Sequence, residues 1–91
     1  MNFTVTWEPD ARRELHLIWA TAPDPAAVRQ AADIAEQLLG TDPFGNGTPL
    51  AEELWKISVP PLVVYYTIDS DQQSVEISNV AHTAPTHDLP R

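Results

Sequence analysis

Apolar and polar positions along residues 54–81, LWKISVPPLVVYYTIDSDQQSVEISNVA, fall into three short runs separated by two breaks. Trp55, Ile57 and Val59 alternate with Lys56 and Ser58, the period of two that marks a strand with one buried face. Pro60 and Pro61 have no backbone N–H to give to a ladder, so the first strand ends there. Leu62 to Tyr66 is apolar on both faces, as a central strand is, and continues through Thr67 to Ile68. Asp69 to Gln73 is a polar turn, and Ser74 to Ala81 is rich in strand formers again. A meander of three strands is the result, and it needs a cover.

The cover is predicted by the first half of the chain. Phe3, Val5 and Trp7 alternate with Asn2, Thr4 and Thr6, which predicts a strand from Asn2 to Trp7. Glu8-Pro9 then opens a helix, with Pro9 at its first position and Glu8 and Asp10 at the positive end of its dipole. Ala11, Leu15, Ile18 and Ala22 recur at helical spacing with Trp19 alongside, while Arg12, Arg13 and His16 point elsewhere. Asp24 as cap and Pro25 as first residue start a second helix, carried by Val28, Ala31, Ile34, Ala35, Leu38 and Leu39 and expected to stop at Gly40. So short a connection folds the two helices into a hairpin, and its many alanines let the axes approach closely. Thr41 to Pro49 reads as a loop, with Phe44 expected to tuck back under the helices. The three tryptophans, Trp7, Trp19 and Trp55, are expected in the core. The pattern thus predicts an α+β domain over residues 1–82, in the order β-α-α-β-β-β. A helical hairpin packs on one face of a mainly antiparallel four-stranded sheet, and a flexible tail follows over 83–91.

Composition adds limits. Ninety-one residues, 43% hydrophobic and 20% charged, suffice for one core in two layers. There is no cysteine, hence no disulfide and no thiolate metal site. The start, MNFTVTWEPDARR, lacks a basic region followed by an apolar run, which predicts a cytoplasmic protein with no membrane partner. The net charge of −8, from five Lys plus Arg against thirteen Asp plus Glu, disfavours direct nucleic-acid binding, which draws its affinity from cations on phosphates. Gly45-Asn46-Gly47 has neither a preceding strand nor a following Gly-Lys-Ser/Thr, so it is not a phosphate loop. His82, His87 and Asp88 make a poor metal set at their spacing in a proline-rich tail, and no metal or other cofactor is expected.

Three stretches in succession, VTWEPDARREL, TDPFGNG and LWKISVPPLVVYYTID…VEISNVAH, resemble the RelE/ParE superfamily of toxins from type II toxin–antitoxin (plasmid stabilisation) modules. The resemblance spans Asn2 to His82 and implies a sheet ordered first, fourth, third, second strand. It also implies a cognate antitoxin as partner, with either messenger RNA on the ribosome or DNA gyrase as target. The nuclease branch uses cations and aromatic groups on the open face of the meander to stabilise charge as a ribose hydroxyl attacks phosphate. Here the resemblance carries over to Lys56 and His82, with Tyr66 or its neighbour Tyr65 as third member; these are the candidate catalytic residues. Ser58, Leu62-Val63-Val64 and Ala81 stand where that branch has further cations. Each candidate has a plain alternative: a solvated strand lysine, a histidine beside the tail, a core tyrosine. A toxin acting by protein binding, as ParE-like members do, is therefore the leading expectation. An inactive homologue that only binds a partner comes second, and a ribosome-dependent endoribonuclease third.

Overall fold

A computed structural model describes residues 2–83. Its elements are β1 (Thr4–Trp7), α1 (Pro9–Thr21), α2 (Pro25–Thr41), β2 (Thr48–Pro49), β3 (Trp55–Val59), β4 (Leu62–Asp69) and β5 (Ser74–His82). The strands form one sheet in the order β1-β5-β4-β3-β2. β1 lies parallel to β5, and every other pair is antiparallel. The order implied by the family resemblance is therefore met, with a fifth strand added outside β3. That strand escapes a reading of hydrophobic period because it is two residues long, inside a stretch of glycine and proline.

Both helices start where the sequence places them. Pro9 and Pro25 occupy first-turn positions, and the Asp24 carboxylate accepts from the Ala27 N–H. α2 does not stop at Gly40. It runs to Thr41, and the Asp42 N–H donates to the Leu38 carbonyl. No glycine among the described residues has a positive φ, so Gly40 is not a left-handed terminator. Instead its carbonyl accepts from the Phe3 N–H at 2.8 Å, tying the chain ahead of β1 to the end of α2.

α1 packs on β5, and α2 on β1, β3 and β4. The buried core is aliphatic: Ala11 and Ile18 of α1, Val28, Ala31, Ala35 and Leu39 of α2, and Ile57, Leu62, Val64, Val75, Ile77 and Val80 of the sheet. Tyr66, wholly buried, is its largest side chain. The expectation of a tryptophan core is not met. Trp7 and Trp55 are half-buried at the margin, and Trp19 is 41% exposed. Trp7 and Trp55 pack against the core from its margin, and Trp19 lines the groove between α1 and α2. Trp7 instead donates its indole N–H to Glu36, linking β1 to α2.

Phe44 does not reach under the helices either. Its ring stands edge-on between Phe3 and Trp55, at centroid distances of 6.2 and 5.6 Å, and remains half-exposed. Behind it, the Tyr66 hydroxyl donates to the Pro43 carbonyl at 2.7 Å. Gly47 lies against that hydroxyl so closely that a Cβ there would overlap it and press on the Lys56 carbonyl. The glycines of this loop thus serve close approach, not phosphate binding.

Thr83, the first residue of the expected tail, is held by the Pro61 carbonyl through both its N–H and its hydroxyl. The rest of the tail, with His87 and Asp88, lies outside the described residues.

Candidate functional site

The sheet has one face under the helices and one bare. Strand register assigns the side chains. Across β2, β3, β4 and β5, Thr48, Lys56, Tyr65 and Asn79 form one row of the bare face. Ser58, Val63 and Ala81 form the row beside it. On the other side lie Thr67, Glu76 and Thr6, then Asp69, Ser74 and Thr4. Lys56 is the one cation on this face among the described residues, and Asp69 and Glu76 share the face with it.

The three candidates from sequence do not converge. Lys56 is on the bare face beside Tyr65, its direct partner in the ladder. Tyr66 points the opposite way into the core, so the open-face tyrosine is Tyr65. Burial, helped by the Asp42 carboxylate, pushes the Tyr66 phenol up to about 12, and it stays protonated as the donor to Pro43. His82 pairs with Leu62, a fully buried residue of the helix side, and is therefore on the other face from Lys56.

A bulge causes the separation. Tyr65 pairs with Asn79 but Tyr66 pairs with Ile77, which leaves Ser78 as an extra residue in β5. Before it, Val75 and Ile77 face the helices; after it, Val80 and His82 do. With unbroken alternation His82 would share a face with Glu76 and, across the sheet, with Lys56. Ser78 supports the distortion by donating to the Tyr65 carbonyl at 3.4 Å, and Asn79 accepts from the Val80 N–H at 2.8 Å. The sequence signal for the bulge is slight: Val80 breaks the alternation set by Val75 and Ile77.

Two other surfaces stand out. Between α1 and α2 lies a groove of about 460 Å³ with Leu15, Trp19, Val28 and Ala32 as apolar lining and Arg12, Arg29, Asp33 and Glu36 around them. The His16 ring lies beside that of Trp19 at 6.0 Å. Three of the four described cations, Arg12, Arg13 and Arg29, are on these helices; Arg13 faces Asp10 at 3.3 Å across an exposed pair. At the opposite end of the sheet a depression is ringed by Glu52, Glu53, Asp69, Asp71 and Glu76, with Phe44 and Trp55 in its wall. Among the described residues no group of three or more His, Asp or Glu is placed to hold a metal ion. None of the described helices is long and apolar enough to cross a membrane.

A helical hairpin on one face of a five-stranded sheet, with the other face bare, defines the architecture of the RelE/ParE toxins. Residues 5–85 match the family of ParE toxins of type II toxin–antitoxin (parDE) systems, and the chain belongs to that family. Among solved structures, it is similar to a chain of the toxin–antitoxin complex RelBE2 from Mycobacterium tuberculosis. Identity is 26%, with a TM-score of 0.78 over 93% of this chain and 95% of that one. It is also similar in fold to a chain of the chromosomal ParDE system of P. aeruginosa, at 14% identity and TM-score 0.64, covering 90% and 97% of the two chains. For the archaeal RelE–RelB complex of Pyrococcus horikoshii OT3 the values are 13% and 0.55, covering 90% and 96%. No protein of curated function matches the sequence.

Proposed function

We propose that this toxin acts by binding a protein target, as ParE-like members act on DNA gyrase, and that a cognate antitoxin neutralises it. One observation carries this reading: among the described residues the bare face offers Lys56 alone as a cation, and His82 lies on the other side of the sheet. Cleavage of RNA by attack of a ribose hydroxyl needs a base, an acid and cations around one phosphate. A lone lysine on a face it shares with Asp69 and Glu76 supplies little of that. Binding needs no such set. The bare face, with Tyr65, Val63 and Asn79 beside Lys56, is a mixed apolar and polar surface suited to a protein partner.

The antitoxin is assigned to the groove of the helical hairpin. Trp19 is the anchor, since a half-exposed indole in a concave apolar surface is the kind of side chain that dominates interfaces. Arg12 and Arg29 at its margin would meet carboxylates of the incoming segment. The neighbours solved with antitoxins support a partner of this kind.

Induced expression in a bacterial host is the test. Growth should stop, and purified toxin should inhibit gyrase supercoiling, with His82→Ala as active as the parent and Lys56→Ala weakened but still inhibitory, as for one contact among several. Ribosome-dependent mRNA cleavage lost in Lys56→Ala would overturn the binding mechanism. Unaffected growth would leave the inactive homologue. Trp19→Asp should remain toxic yet escape neutralisation by the antitoxin from the adjacent reading frame; full neutralisation would remove the groove from the interface.

A further inference from the structure

We draw no further inference here: the strongest candidate, the depression at the end of the sheet ringed by Glu52, Glu53, Asp69, Asp71 and Glu76 beside Phe44, carries nothing, because it is a cluster of carboxylates with no second feature that points to a ligand.

Discussion

Tyr66 connects chemistry to stability at the scale of one side chain. Its ring fills the centre of the core, and its hydroxyl satisfies a carbonyl of buried Pro43. Tyr66→Phe keeps the ring and strands that carbonyl, which should cost about 1–3 kcal/mol, read as a lower urea midpoint at unchanged slope. The phenol also sets a pH dependence. Its native pKa is raised to about 12 from an ordinary value of 10, so between these the unfolded chain releases the proton first. Stability is thus undiminished below pH 10 and should fall as pH rises towards 12, by at most roughly 2–3 kcal/mol. Urea midpoints taken across this range should flatten in Tyr66→Phe; an unchanged alkaline slope would assign the effect elsewhere. Gly47 depends on the same hydroxyl. Gly47→Ala puts a methyl group where the Tyr66 oxygen and Lys56 carbonyl already lie, an overpacking expected to cost about 1–3 kcal/mol or more by thermal unfolding.

At the scale of elements, the helix starts were legible because capping chemistry is local. Asp24 and Pro25 announce α2 within two residues, and Asp24→Ala should lower stability by about 1 kcal/mol in thermal denaturation. The meander was legible because its period of two is long and bounded by Pro60-Pro61 and by a polar turn. What escaped depends on distant partners. Thr48–Pro49 becomes a strand only because β3 offers an edge, and Trp19 lies outside the core because its position on α1 faces the groove beside α2. The candidate residues are separated for a related reason. The resemblance brings in His82 by its place in the sequence, and sequence position carries no facing direction once Ser78 adds a residue to β5. Deleting Ser78 removes the extra residue and leaves Asn79 opposite Tyr65 and Val80 opposite Val64, so the core face of β5 is kept and the alternation becomes regular. Thermal unfolding followed by circular dichroism should therefore stay cooperative; loss of the transition would show that the fold needs the bulge itself.

For the molecule as a whole, charge and its placement decide the partners. With a net charge of −8 and most of the described cations confined to the helices, the bare sheet face has no field to draw in a polyanion. Single-stranded RNA should show no salt-dependent retention by the purified protein even at about 50 mM salt. A steep loss of binding with added salt would refute that and revive the nuclease reading. The two sides of the domain also separate two tasks. If, as proposed, neutralisation falls to the hairpin and target binding to the bare sheet, Trp19 and Tyr65 variants should fail different assays.

The extra residue in β5 has a consequence for how such a chain can change. Facing direction in a strand is a binary quantity, and one inserted or deleted residue inverts it for everything downstream unless a bulge absorbs the change. Substitutions alone can therefore add a cation at Ser58 or Val63, but they cannot bring His82 round to Lys56 while Val80 remains inside. A two-sided histidine–lysine pair lies across a frame change from this fold, whereas a broader contact surface lies only point mutations away.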